Sequence, residues 1–106
     1  MKNYQNLDEL QKIVKEFISE RNWEKAHGPK NLAMSIAIEA AELMEIFQWQ
    51  DNGDYIRVDD QVLEHIGEEI SDVMIYCISM ANFYNLNIGE IICDKFRKNA
   101  KKYPVE

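Results

Sequence analysis

Chain-breaking residues are scarce in this sequence: four glycines and two prolines are spread over 106 positions. With so little punctuation the chain favours a few long elements over many short strands. Apolar residues recurring every three or four positions then make those elements helices. The spacing predicts a first helix over Leu7 to Arg21, opened by Asn6 with Glu9 three positions on, a variant of the capping box. Its buried stripe reads Leu7, Leu10, Ile13, Val14, Phe17 and Ile18. WEKAHGPKN, from Trp23 to Asn31, breaks the pattern, and a second helix covers Leu32 to Gln48. QDNGDY, from Gln50 to Tyr55, is the clearest loop, with Asn52-Gly53 as its turn. A long third helix follows from Asp60 to Tyr84, then a tight connection through Asn85, Leu86 and Asn87. Asn87 with Glu90 caps a fourth helix from Ile88 to Lys102. No strand pattern competes, so the expectation is an all-α chain forming one domain over residues 1–106.

A domain of this length buries only about two-thirds of its unfolded surface, and its own core is adequate rather than generous. Nineteen acidic residues against twelve basic ones give a net charge of −7. Duplex nucleic acid is therefore a poor partner, because non-specific affinity comes from neutralising phosphates with lysine and arginine. Five of the twelve basic residues (Lys95, Arg97, Lys98, Lys101 and Lys102) cluster near the C-terminus. An acidic body with a basic tail suits a small phosphorylated ligand, provided that cations help. The same tail also complements a helix dipole, which is the plainer account of it. Met1 leads into a polar segment without the apolar run of a secretory leader, and no stretch approaches the roughly 18 apolar residues of a membrane span. Cys77 and Cys93 share no metal-like spacing and stand in apolar contexts, as core thiols of a reducing compartment would. A cytoplasmic protein without a membrane partner is expected.

The anomaly lies in SIAIEAAELMEIFQW, Ser35 to Trp49. At about 100° per residue, Leu32, Ile36, Leu43 and Ile46 all fall within about 60° of Glu39. Glu39 therefore sits inside the apolar arc. Glu42 lies on its edge, and Glu45 turns further round toward solvent. HIGEEISDVMIY, His65 to Tyr76, repeats the pattern: Val62, Val73, Tyr76 and Met80 surround Glu69 within about 40°, with Asp72 beside it. His65 shares the Asp72 side, whereas Glu68 falls outside the arc as a surface charge. Burying an ion costs several kcal/mol, and an anionic neighbour adds repulsion. Neither helix offers a lysine or arginine at matching positions. A wet helix edge or an oligomer rim would relieve the cluster; so would a hard cation. Mg2+ takes oxygen ligands and is commonly completed by substrate phosphates, and facing helices with carboxylates at i and i+3 can build such a site. A carboxylate–histidine site of Glu42, Asp72 and His65 is a further option, but the Glu-x-x-His pairs typical of di-iron bundles are missing.

Glu39-x-x-Glu42, twenty-six intervening residues, and Glu69-x-x-Asp72 resemble the signature of the MazG-like all-α nucleoside triphosphate pyrophosphohydrolases. The flanks NWEKAHGPKNLA, ELMEIFQW, EEISDVMIY and KNAKKYP extend the likeness over about residues 7 to 104, and it is nearest to the small single-domain dCTP pyrophosphatase-like branch. The resemblance implies a four-helix bundle completed by dimerisation, often as a dimer of dimers, with active sites assembled from more than one chain. It implies hydrolysis of a nucleoside triphosphate, usually a deoxynucleotide, to the monophosphate and pyrophosphate. Mg2+ is the implied cofactor, with Mn2+ as a substitute, and Glu39, Glu42, Glu69 and Asp72 are the implied ligands. His27 and Asn31 match a segment beside the nucleotide. Trp23, Trp49 and Tyr76 match positions lining the base and sugar pocket, and Lys95, Lys98 and Asn99 match a segment near the phosphates.

The residues themselves permit this chemistry. An acidic pocket can hold a triphosphate only through bridging cations, which would also lower the pKa of an attacking water. Glu42 or Glu45 would accept the proton, and Lys95 or Lys98 would stabilise the leaving pyrophosphate. Each flanking residue has a plainer role open to it: Trp23, Trp49 and Tyr76 in the core, His27 in shaping the loop. The rival from another class is a non-catalytic nucleotide-sensing or partner-binding helical module, against which all four acids being present argues.

Overall fold

The computed structural model describes residues 6–49 and 59–105, and among these every regular element is helical. In chain order they are α1 (Leu7–Glu20), a short 3-10 turn (Glu24–Ala26), α2 (Pro29–Glu45), α3 (Asp60–Phe83) and α4 (Ile88–Lys102). Helix α3 is the spine. One of its faces packs against α2, in the most extensive contact of the chain, and another packs against α1, which in turn carries α4.

The caps follow from the sequence. Asn6 and Asn87 accept the backbone N–H of Glu9 and Glu90 at 2.9 Å, starting α1 and α4. Asp59 does the same for α3 through Val62 N–H at 2.8 Å, a cap that the sequence reading did not identify. Helix α2 begins three residues earlier than expected and ends earlier too. Pro29 occupies its first turn behind Gly28, where a missing N–H costs nothing, and beyond Glu45 the chain continues as turns through Trp49. The expected Gln50–Tyr55 loop lies outside the described residues.

Helices α1 and α3 both stop at an asparagine with positive φ, Asn22 at 56° and Asn85 at 55°. In each, the next N–H reaches back to the third-last helical carbonyl: Trp23 to Ile18 O at 3.1 Å, and Leu86 to Ala81 O at 2.8 Å. This left-handed termination satisfies carbonyls that the helix leaves open and turns the chain sharply. At α1 it brings Trp23 back onto Phe17, ring centroids 5.8 Å apart and edge to face. At α3 it brings the connection within reach of Gln11 on α1. The Gln11 amide donates to Asn82 Oδ1 and Leu86 O, and its oxygen accepts from Ile88 N–H at 2.8 Å, while Asn82 donates back to Gln11 O. One side chain thus ties α1, α3 and the start of α4 together.

The core that results is small. Val14, Ile18, Ile78, Ala81 and Ile88 form one buried cluster, and Leu32 is the buried residue of α2. The α1 stripe is only half covered: Leu10 and Ile13 are partly buried, and Leu7 and Phe17 are exposed. Cys93 is exposed as well, contrary to the expectation of a core thiol, because α4 packs chiefly on α1 and leaves Cys93 uncovered. Cys77 is half-buried on α3. The radius of gyration, 16.5 Å, exceeds the roughly 13 Å of a compact chain of about this length. A cleft between α1 and α3, lined by Leu10, Phe17, Ile70, Met74, Ile75 and Ile78 among others, opens to the surface. No helix is long and apolar enough to cross a membrane among the described residues.

Candidate active site

Helices α2 and α3 meet along the arcs that contain the acids. Ligand oxygens of Glu39, Glu69 and Asp72 come within 4.8 Å of one another. Glu69 is buried, and Glu39 and Asp72 are half-buried. Each of Glu39 and Glu69 holds one oxygen, Oε2, buried with no hydrogen-bond partner. Glu42, the fourth expected ligand, is exposed and lies outside the mutual 4.8 Å set, but its carboxyl approaches both Glu39 and Glu69. It reaches the cluster from the edge, as its place on the helix wheel requires. Glu45 and Glu68 are exposed, as expected.

The protonation of the cluster records its crowding. Burial, followed by the neighbouring Glu42 carboxyl and the charges of Asp72 and Glu69, pushes the Glu39 pKa from 4.5 to about 7. Burial and Glu42 raise Glu69 as well, with His65 pulling the other way. Oxygens that are buried, anionic and unpartnered are the donor set a hard divalent cation takes. The residues present therefore fit a divalent metal ion, with Glu39, Glu69 and Asp72 grouped to hold it and Glu42 beside them. The imidazole of His65 is not gathered into that group. It contacts Glu69 instead, Nε2 to Oε1 at 3.3 Å, so the site of Glu42, Asp72 and His65 weighed from the sequence does not form.

A depression of about 540 Å3 opens over the acids, lined by Glu42, Glu45, Ile46, Gln48, Val62, His65 and Glu69. An aromatic series also reaches α3. Trp23 stacks on His27 at 6.2 Å with planes 18° apart, and His27 leans on Tyr76 at 6.1 Å. Tyr76 lies one turn beyond Asp72 on α3. Three of the expected pocket residues are thus brought together. His27 buries Nδ1 without a partner. Asn31 is spent locally, its amide donating to Ala26 O at 3.2 Å across the loop. Trp49 is 88% exposed and packs into no core. Lys95 and Lys98 are exposed and Asn99 is half-buried; none of them lines the depression, because α4 packs chiefly on α1. Two features escaped the sequence reading. The contact of His65 with Glu69 could have been found from their i, i+4 spacing, and the folding back of Trp23 from the asparagine that precedes it.

The fold and the site together define an all-helical scaffold with a carboxylate cluster between two packed helices. The match to known sequences is specific within that class: residues 34–106 match the model of the MazG-like family, and the chain belongs to that family. It is 33% identical over 101 residues to dCTP pyrophosphatase 1 of Rattus norvegicus, covering 93% of this chain and 59% of that protein. Identity to dCTP pyrophosphatase 1 of Homo sapiens is 32% over 100 residues, again over 59% of its length. The chain therefore spans about three-fifths of these curated relatives. A pyrophosphatase from Archaeoglobus fulgidus matches end to end in its crystal structure. Its TM-score is 0.77 and its identity 41%, over 99% of this chain and 98% of that one.

Proposed function

We propose that this protein hydrolyses a nucleoside triphosphate, of the deoxynucleotide class, to the monophosphate and pyrophosphate. The observation that carries the reading is the set of buried, unpartnered carboxylate oxygens that α2 and α3 bring together. Relatives named as pyrophosphatases support it. A divalent cation, Mg2+ or Mn2+, would offset the charge of the phosphates and lower the pKa of the attacking water. Glu39, Glu69 and Asp72 would hold it, with Glu42 completing the set. Glu42 and Glu45 stand exposed at the mouth, and a carboxylate there would accept the proton from water. The series Trp23, His27 and Tyr76 offers flat apolar faces for a base and sugar, with Trp49 as a fourth face.

The phosphate-binding role of Lys95, Lys98 and Asn99 requires a second copy, since α4 of the same chain packs chiefly on α1. A dimer is favoured independently. Phe17, Ile70, Met74 and Ile75 are exposed about the α1–α3 cleft, and Phe96 on α4 is 68% exposed. Apolar surface of this kind resembles half of an obligate interface. The α4 of one protomer would then serve the acids of its partner.

Hydrolysis in 18O-labelled water tests the reaction. Attack at the α-phosphorus puts the heavy oxygen on the monophosphate and none on pyrophosphate. Orthophosphate and a nucleoside diphosphate as products would refute this placement of the substrate, and no turnover across a nucleotide panel with Mg2+ or Mn2+ would favour the non-catalytic module.

A further inference from the structure

One polar contact of the acid cluster comes from outside it. His65 lies one helical turn before Glu69 on α3 and brings Nε2 to 3.3 Å from Glu69 Oε1. Its side chain is 55% exposed, against 11% for Glu69. The ring therefore stands at the mouth of the depression with one edge in water and the other on a buried carboxylate. This leaves the two oxygens of Glu69 in different surroundings. Oε1 faces His65, whereas Oε2 is buried and has no hydrogen-bond partner. A glutamate side chain has three torsions and, unrestrained, can present either oxygen or both to its neighbours. Three further carboxyls crowd this one (Glu39 and Glu42 from α2, Asp72 from α3), and their charges all weigh against its ionisation.

We propose that His65 is a positioning residue: through Nε2 it holds Glu69 Oε1 at the mouth and so commits Oε2 to the interior of the cluster, as the atom that faces the cation. The physical basis is general. Carboxylates that ligate metals are oriented by donors in the next layer, and loss of such a donor typically weakens metal affinity by about 10–100-fold. The i, i+4 spacing on one helix makes the contact local, so it survives small shifts between α2 and α3. The role concerns a donor placed at the mouth, on the one oxygen of Glu69 that His65 faces. It rests on the cation reading given above.

The test is Mn2+ binding to the metal-free full-length protein, followed by electron paramagnetic resonance, for the parent, His65→Ala and His65→Gln. A glutamine amide can set its nitrogen near the place of the imidazole Nε2. The expected result is at least about a tenfold loss of Mn2+ affinity in His65→Ala and recovery to within about threefold of the parent in His65→Gln. Melting temperatures in EDTA should stay close to the parent value in both, because a half-exposed ring contributes little to the core. Unchanged affinity in His65→Ala overturns the proposal, and so does an equal loss in the two variants, which would mean that the donor is not what matters. Should alanine unfold the chain, His65→Leu, which keeps bulk without a donor, takes its place under the same criteria. A parent that binds no Mn2+ refutes the cation reading and this role with it, whereas a binding parent with an unaffected alanine variant refutes the role alone.

Discussion

Replacing Glu39 by glutamine removes one charge from the cluster at nearly constant shape. The metal-free protein should gain stability from the change, but only toward neutral and alkaline pH. Burial, the adjoining Glu42 carboxyl and the other two acids raise the Glu39 pKa from 4.5 to about 7. In the unfolded chain the carboxyl returns to its ordinary value. Between those limits the folded protein binds a proton that the unfolded chain has released, so the parent loses stability as pH rises from about 4.5 to about 7. Glutamine, which cannot ionise, loses none. Each tenfold change in proton affinity is worth about 1.4 kcal/mol, which would make the whole displacement about 3.4 kcal/mol. Glu39 is only half-buried, and screening by water reduces the expected gain to about 1–2 kcal/mol. In a domain of about 100 residues that is a rise of roughly 5–10 °C in Tm. The assay is thermal unfolding in EDTA at one fixed protein concentration, since association would otherwise move the midpoint. At pH 8 the variant should melt above the parent; at pH 4.5 most of the difference should vanish. Adding Mg2+ at pH 8 should then stabilise the parent more than the variant, by mass action on the folded state. Equal stability at both pH values would show that the carboxylates do not crowd one another. Equal Mg2+ shifts would put the cation site elsewhere.

Gln11→Ala removes three hydrogen bonds that join α1 to α3 and to the start of α4. It should cost about 2–3 kcal/mol in urea unfolding without changing Mn2+ affinity, at about 1 kcal/mol per bond. Ile75→Asp, at the exposed lip of the α1–α3 cleft, should lower the mass seen by light scattering from an oligomer to the monomer; a parent that is already monomeric and active would refute the dimer. Lys95→Ala should reduce turnover of a nucleoside triphosphate at least tenfold and leave Mn2+ binding intact, because the lysine is exposed on α4 and does not line the depression over the acids.

The helices were legible because their signals are local. Scarce glycine and proline, asparagine caps at Asn6 and Asn87, and apolar residues at helical spacing act within a turn or two, and α4 begins and ends where the pattern places it. The anomaly of the acids was legible for the same reason: a helix wheel needs one strand of sequence to show that Glu39 and Glu69 share an arc with leucine, isoleucine and valine. The wheel could not decide which partner each arc meets. Only packing made α3 the spine, set α2 on the acid face and α1 on the other, and divided the four acids into three grouped oxygens and one at the edge. The buried stripe of α1 was over-read because periodicity marks an apolar face without saying whether one chain has enough neighbours to cover it. Phe17 stays exposed for that reason. The folding back of Trp23 onto Phe17 and His27 depended on a left-handed turn at Asn22, and the separation of Lys95 and Lys98 from the acids of their own chain depended on α4 lying chiefly on α1. These are long-range outcomes, settled by which surfaces bury one another best, and residue spacing along the chain contains no measure of them.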